Sequence, residues 1–157
     1  MTPGTESATF PGAVQCSRGA VRTEGFADDG TMLKDLAQFD LAQEMNDSEQ
    51  KRPWPMGHFA KTLFKKSDFR VVLISMDKGS ILKEHHADGT ISVQVLKGLI
   101  RFTAQGEAQS LQVNSVLTLG ASIKHAVETL EESAFLLTIA WPSGEKLQAM
   151  EHRGYGT

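Results

Sequence analysis

Cysteine is nearly absent from this sequence, since Cys16 is the only one among 157 residues. One cysteine forms neither an internal disulfide nor a cysteine-based zinc site, which fits a reducing cytoplasm. The sequence also lacks a run of about 18 apolar residues, the length that a membrane-spanning helix needs. Its first ten residues, MTPGTESATF, have neither the basic nor the apolar region of a signal peptide. We therefore expect a cytoplasmic protein with no membrane partner.

The sequence also lacks a large excess of either positive or negative charge. The 16 basic and 19 acidic residues leave a formal net charge of −3, and no run of five like charges offers a nucleic-acid-binding arm. The sequence contains no phosphate-binding P-loop, no dinucleotide fingerprint and no G-x-S-x-G nucleophile elbow. We therefore expect no nucleic-acid partner, and we set aside the enzyme classes that those three motifs define.

The remaining composition, 40% hydrophobic and 22% charged, is that of one globular domain. Glycine and proline among polar residues in the first 30 positions favour an extended arm over packed structure. We predict an N-terminal arm with a short helical segment that packs on a barrel (1–56), a β-barrel (57–142) and a C-terminal tail or short helix (143–157).

Helical spacing is confined to one stretch before the barrel. Between Met32 and Met45 the apolar residues recur at intervals of three and four, which predicts one or two short amphipathic helices. Asp40 followed by Gln43 matches a capping box, a helix-start pattern. The charged segment 46–55 contains two prolines and predicts a connection.

After position 57 the residue pattern changes to short runs of β-branched and aromatic residues, separated by turn residues about every ten positions. This spacing predicts an all-β sandwich or barrel. A tight hairpin is expected around Gly106. The nine runs are 58–64, 69–76, 80–84, 90–96, 99–104, 108–113, 115–119, 123–130 and 133–141.

Alternation of apolar and polar residues assigns an inward face to two of these runs. Ile91 and Val93 face inward in one run, and Val127 does so in the other, where His125 shares its face. His125 is then a core histidine bonded to the backbone, a metal ligand, or a group that contacts a ligand or transfers a proton.

Two adjacent histidines precede the run 90–96. Counting back from Ile91 with period two places His85 on the inward face and His86 on the outer one. This holds if strand geometry continues through the Asp88-Gly89 turn. If it does not, His86 replaces His85 or joins it.

Both histidine regions carry a family pattern. The stretch from Gly79 to Gly98, GSILKEHHADGTISVQVLKG, matches G-x5-H-x-H-x(3,4)-E-x6-G at Gly79, His85 and Gly98. The stretch from Asn114 to His125, NSVLTLGASIKH, matches G-x5-P-x-G-x2-H at His125. These are similar to the two motifs of the cupin superfamily, and fifteen residues separate them, as such barrels show. The chain looks most like the small single-domain cupins.

The resemblance implies a fold and a metal site. Cupins are double-stranded β-helices, also called jelly-roll barrels, and those with the full motifs bind iron, manganese, nickel or zinc through three histidines and a glutamate. Many are dioxygenases, isomerases or decarboxylases. Here the second histidine position is Ala87 and the glutamate position is Ile91, while Asn114, Gly120 and Ser122 stand where glycine, proline and glycine are usual. Two imidazoles alone predict a loosely held metal.

We therefore predict an all-β cupin double-stranded β-helix with an N-terminal arm and a short helix, which forms a homodimer as small cupins typically do. The expected function is binding of a small organic ligand, as a sensor or accessory module, with no cofactor or a weakly held divalent transition metal (Fe, Mn, Ni or Zn). The alternative is a metal-dependent enzyme of dioxygenase or isomerase type that uses His85 and His125 as metal ligands. The predicted ligand-binding residues are His85, Ile91, Val93, His125 and Val127.

Three basic residues, Lys61, Arg70 and Arg101, lie inside predicted strands. Each would anchor an anionic ligand if it pointed inward. A solvated strand face is the simpler interpretation, above all for Arg101 between two apolar neighbours.

Overall fold

The computed structural model describes residues 36–141. The predicted extended arm and the predicted C-terminal tail or short helix lie outside the described residues. Residues 36–141 fold into one α-helix, one short 3-10 turn and nine β-strands. The helix is α1 (Leu41–Glu49), the 3-10 turn is Pro55–Gly57, and the strands are β1 (His58–Lys65), β2 (Phe69–Met76), β3 (Ile81–His85), β4 (Thr90–Lys97), β5 (Leu99–Ala104), β6 (Glu107–Gln112), β7 (Val116–Leu119), β8 (His125–Thr129) and β9 (Ser133–Ala140).

The strands form two antiparallel sheets. One sheet has five strands in the order β1-β2-β9-β4-β7, and the other has four in the order β3-β8-β5-β6. All nine predicted runs correspond to strands, with boundaries that agree within two residues. The all-β jelly-roll prediction is therefore confirmed.

The inward faces of both sheets share one hydrophobic core. Period-two alternation is realised in β4, where Ile91, Val93 and Val95 are 2%, 1% and 0% exposed. Phe102 from β5 and Phe135 from β9 are the largest fully buried side chains. Burying one such ring contributes about 1.5–3 kcal/mol relative to leaving it exposed, so this cluster is a main source of stability.

Helix α1 departs from the prediction in extent. Asp40 is its N-cap, and its side chain accepts hydrogen bonds from the backbone N–H groups of Ala42 and Gln43. The reciprocal bond of a capping box is replaced, because the Gln43 side chain donates to Asp47 at 2.7 Å. The helix continues to Glu49, so the prediction that position 46 begins a connection was wrong. The prolines lie at positions 53 and 55, too far along to end the helix earlier.

The buried side of α1 is polar. Ser48 Oγ lies 2.9 Å from Ser75 Oγ of β2, and the buried Glu44 carboxylate accepts from Lys61 Nζ of β1 at 2.5 Å. The indole Nε1–H of Trp54 donates to the Ser48 carbonyl at 2.9 Å. Hydrogen bonds therefore attach the helix to the outer face of the five-stranded sheet, since buried polar groups need such partners.

A charge network lies beside this helix. The Arg52 guanidinium bonds Glu49 and Asp77 and reaches Glu132 at 2.8 Å. Hydrogen bonding to Glu49 is the largest cause that raises the pKa of Arg52. The Lys97 ammonium, 2.5 Å from Glu132, lowers the pKa of that carboxyl. These groups are partly exposed, so each pair contributes about 1 kcal/mol or less.

Left-handed backbone shapes two tight turns. β5 and β6 are joined by the predicted hairpin, in which Gln105 and Gly106 have φ of 55° and 80°. Gly98, between β4 and β5, has φ of 77°, and a Cβ there would lie 2.2 Å from the Glu132 carbonyl oxygen. Gly98 therefore meets two constraints, whereas a Cβ at Gly106 would meet nothing within 4 Å.

Comparing Gly98→Ala with Gly106→Ala separates these constraints. We expect Gly106→Ala to lower the free energy of unfolding by about 1–2 kcal/mol, the cost of a left-handed alanine. Gly98→Ala should cost about 4 kcal/mol, because the backbone of residue 132 must also move. Urea denaturation of both variants measures the difference. Equal losses of unfolding free energy in the two variants would show that the close approach to Glu132 adds no cost to the substitution.

Candidate functional site

His125 lies at the start of β8, in the middle of the four-stranded sheet. Its side chain is buried, and its residue exposure is 5%. Phe102 of β5 pairs directly with Val127, so His125 is its diagonal neighbour on the same face. The two rings stack with centroids 5.2 Å apart and an angle of 13°. Sequence reasoning missed Phe102 as the support of this imidazole, although its place in an alternating run was visible.

His85, the last residue of β3, lies directly across from His125. Their ring centroids are 4.4 Å apart and the rings are tilted by 59°. His85 is exposed on its other side, so the pair sits at the surface end of the barrel interior. The structure thus brings together the two histidines that carry the motif matches.

A β-bulge produces this pairing. Leu82 pairs with Val127 and His85 with His125, so three steps along β3 correspond to two steps along β8. Without the extra residue, Glu84 would face His125. The bulge therefore sets an imidazole in place of a carboxylate opposite His125, and bulges are frequent beside functional sites.

Backbone carbonyls determine which ring nitrogen is free. His85 Nδ1 lies 2.7 Å from the Lys83 carbonyl oxygen, and His125 Nδ1 lies 2.9 Å from that of Ile123. A carbonyl oxygen only accepts, so each Nδ1 carries a proton and donates it. In the neutral rings both Nε2 atoms are then unprotonated acceptors, as metal-binding histidines also are.

Burial keeps His125 neutral. Desolvation is the largest cause, and it lowers the pKa of His125 below its ordinary value of 6.5. The hydrogen bond to the Ile123 carbonyl acts in the opposite direction, and the neighbouring His85 and His86 lower the pKa further. At neutral pH the ring is therefore an uncharged acceptor.

His86 points elsewhere. Its side chain is 54% exposed, and its Nε2 lies 3.5 Å from the Asp88 carboxylate. The structure does not bring it into the pair formed by His85 and His125.

The apolar residues predicted to bind a ligand lie deeper. Ile91, Val93 and Val127 are 2%, 1% and 3% exposed and belong to the hydrophobic core. Contact with a ligand stays a prediction for these three residues.

The remaining metal-ligand positions of the family pattern are apolar here. Ala87 is half-buried and packs against the core, and Ile91 is a core residue. Across residues 36–141, no group of three or more histidine, cysteine, aspartate or glutamate side chains is arranged to hold a metal ion. The donor set therefore does not fit a tightly bound resident metal, because two imidazoles leave half the first shell and its negative charge unsupplied.

Two substituted motif positions keep a glycine-like backbone. Asn114 and Ser122 have φ of 69° and 63°. Asparagine tolerates this left-handed region best among non-glycine residues. The Ser122 N–H donates to the Ala87 carbonyl at 2.7 Å, which ties the loop before His125 to the loop after His85. Asn114 and Ser122 thus adopt left-handed backbone at positions where the family pattern has glycine.

Comparisons with known proteins rest on structure. No protein-family model matches the sequence, and no curated protein matches it. A cupin 2 conserved barrel domain protein from Leptotrichia buccalis is 27% identical with a TM-score of 0.55, covering 60% of this chain and 46% of that one. A conserved protein of unknown function from Streptococcus pyogenes is 26% identical with a TM-score of 0.54, covering 57% of this chain and 78% of that one.

A cupin superfamily protein from Desulfitobacterium hafniense shares the fold at lower identity. It is 17% identical with a TM-score of 0.55, covering 60% of this chain and 87% of that one. The resemblance drawn from the motifs around His85 and His125 is therefore confirmed at the level of the fold. Between residues 36 and 141, no helix has the length and apolar character to cross a membrane.

The lowered pKa of His125 predicts a pH-dependent stability. Below pH 6.5 the unfolded chain takes up a proton that folded His125 resists, so the free energy of unfolding falls until the lower folded pKa is passed. This contribution is fully present above pH 6.5. We expect His125→Gln to flatten the decline between pH 7.5 and 5 in urea denaturation, relative to the wild-type chain. A wild-type slope in His125→Gln would contradict the assignment.

Proposed function

We propose that this chain, which contains a cupin-superfamily barrel, is a small-molecule-binding module whose binding groups are the imidazoles of His85 and His125. The observation that carries the proposal is the shared hydrogen-bond pattern of the two rings. Each Nδ1–H is committed to a backbone carbonyl, so each Nε2 is left as an acceptor.

The acceptors select the chemistry of the ligand. Nε2 of an imidazole whose Nδ1 carries the proton accepts from O–H or N–H donors, so a ligand with adjacent hydroxyl groups or an amine suits the two rings. His125 supplies a dehydrated acceptor, whose hydrogen bonds are stronger because water competes less for it. His85 is exposed and offers the side from which a ligand enters.

The surroundings supply an apolar wall. Phe102 supports the His125 ring, and Ala87 and Ile91 stand where a metal-binding cupin has its remaining ligands. Few polar groups within an apolar lining are typical of small-ligand sites. A module that binds a ligand without catalysing a reaction would act as a sensor or an accessory domain. The homodimer stays a prediction from the sequence.

The alternative is a metal-dependent cupin enzyme, and one observation favours it. A free Nε2 with a bonded Nδ1–H is the state in which histidine ligates iron, manganese, nickel or zinc. His85 and His125 would hold such an ion, which would supply Lewis-acid chemistry when bound. The absence of a nearby carboxylate ligand among the described residues argues for weak retention.

Nitrogen-15 NMR of the histidine side chains tests the proposal directly. Zn²⁺ alone and catechol alone serve as the probes. We expect the Nε2 chemical shifts of His85 and His125 to change during each titration, with a dissociation constant in the submillimolar range or weaker. His125→Ala should lose both responses. His86→Ala is the matched control and should keep them, because His86 lies outside the pair.

Elemental analysis separates the two candidates. Protein purified without a histidine tag should contain far less than one Fe, Mn, Ni or Zn atom per chain. Near-stoichiometric metal that disappears in His125→Ala would overturn the binding-module proposal and favour the enzyme.

A further inference from the structure

A carboxylate shares the sheet face that carries the two imidazoles. Backbone pairing places one row of residues across all four strands of the smaller sheet. His85 of β3 pairs with His125 of β8, His125 pairs with Ala104 of β5, and Ala104 pairs with Glu107 of β6. Residues directly opposite each other in antiparallel strands lie on the same face. The row therefore has the imidazole pair at one side and a carboxylate at the other, and the residue between them has only a methyl group.

Alternation along β6 supports the same face for Glu107. Glu107, Gln109 and Leu111 occupy one face of the strand, and Leu111 belongs to the hydrophobic core. Gln109 pairs with Phe102, whose ring stacks on His125. Glu107 is the first residue of β6 after the hairpin turn, and it is exposed. It thus lies on the inward side of the sheet, at an end of β6 that a ligand in solution reaches.

The spacing of the row suits a small organic molecule. Neighbouring strands lie about 4.8 Å apart, so the Cα atoms of His125 and Glu107 are separated by about 10 Å. Within residues 36–141, no carboxylate joins the imidazoles in a group arranged to hold a metal ion. A molecule of one aromatic ring and a short chain has the length to contact an imidazole at one end and the Glu107 carboxylate at the other.

The inward face of these strands has one formal charge. Glu107 is the only Asp, Glu, Lys or Arg at the inward positions of β8, β5 and β6 as the structure describes them. The nearest strand cation, Arg101, lies on the opposite face of the sheet and is bonded by Glu128 at 2.8 Å. Within residues 36–141, Glu107 forms no ion pair of its own. Its carboxylate therefore attracts a positively charged group of a ligand.

We infer that the imidazole site selects small organic cations, and that Glu107 is the residue that determines this specificity. The ligand carries hydroxyl groups at one end, which donate to Nε2 of His85 and His125, and an ammonium group at the other. The ammonium N–H groups donate to the Glu107 carboxylate, a charge-assisted hydrogen bond. The apolar middle of the ligand lies over Ala104. This inference rests on the proposed function, because the same two imidazoles bind the hydroxyl end.

Three probes that share one dihydroxyphenyl ring test the inference in nitrogen-15 NMR titrations of the full chain at neutral pH and low salt. Catechol is neutral, dopamine adds an ammonium group, and 3,4-dihydroxyphenylacetate adds a carboxylate. We expect dopamine to bind about two- to fivefold more tightly than catechol, the range of an exposed ion pair. Added salt should reduce this advantage. The dihydroxyphenylacetate should bind more weakly than catechol, because its carboxylate is repelled by Glu107.

Glu107→Gln removes the charge at an exposed position and keeps the size of the side chain. In this variant dopamine and catechol should bind equally, with the catechol affinity of the wild-type chain. Glu131→Gln is the matched control, because it removes the same charge from an exposed residue beyond the end of β8 opposite His125. The preference for dopamine should persist there.

The outcomes separate this inference from the proposed function. Catechol binding without a preference for dopamine, or a preference that persists in Glu107→Gln, would overturn the inference and leave the proposed function standing. If neither catechol nor dopamine changes the Nε2 shifts of His85 and His125, both the proposed function and the inference are wrong.

Discussion

Burial of one hydrophobic cluster between two antiparallel sheets is the constraint on which the rest of this molecule depends. Every inward position must be apolar or have a hydrogen-bond partner, and the core members of β4, β5 and β9 satisfy the first condition. His125 satisfies the second through the Ile123 carbonyl. The polar exceptions on the inward faces therefore mark the positions where function is expected.

The histidine pair lies between turns whose backbone is left-handed at two positions of the family pattern. Asn114 and Ser122 keep left-handed backbone at positions where the family pattern has glycine. The pair is present, whereas Ala87 and Ile91, at the other two ligand positions of the pattern, belong to the apolar packing. Within residues 36–141 no third ligating side chain joins His85 and His125, which supports the proposed reversible binding over a resident metal ion.

Much of the fold was predictable because the strands here are amphipathic and separated by strong turn residues. All nine runs became strands, and the Gln105-Gly106 turn formed as expected. The helix was harder to place. Its buried side carries Glu44 and Ser48, whose partners Lys61 and Ser75 lie on distant strands, so no apolar periodicity signalled its extent.

The candidate site was likewise predictable only in part. Alternation within β8 was enough to turn His125 inward, because that pattern is local. It also selected His85 over His86, but by counting back through the loop of residues 86–89. The structure reaches the same pairing through a bulge between Leu82 and His85.

The sequence by itself determined where the strands lie, which face of each is apolar and which two histidines match the family motifs. Those properties depend on neighbouring residues and on side-chain period alone. Only the tertiary structure decided that His85 and not Glu84 faces His125, that both Nδ1 atoms are bonded, and that Arg70 lies over the Trp141 ring. Register between strands and contacts between chain segments set these features, and neither is encoded in any single stretch of residues.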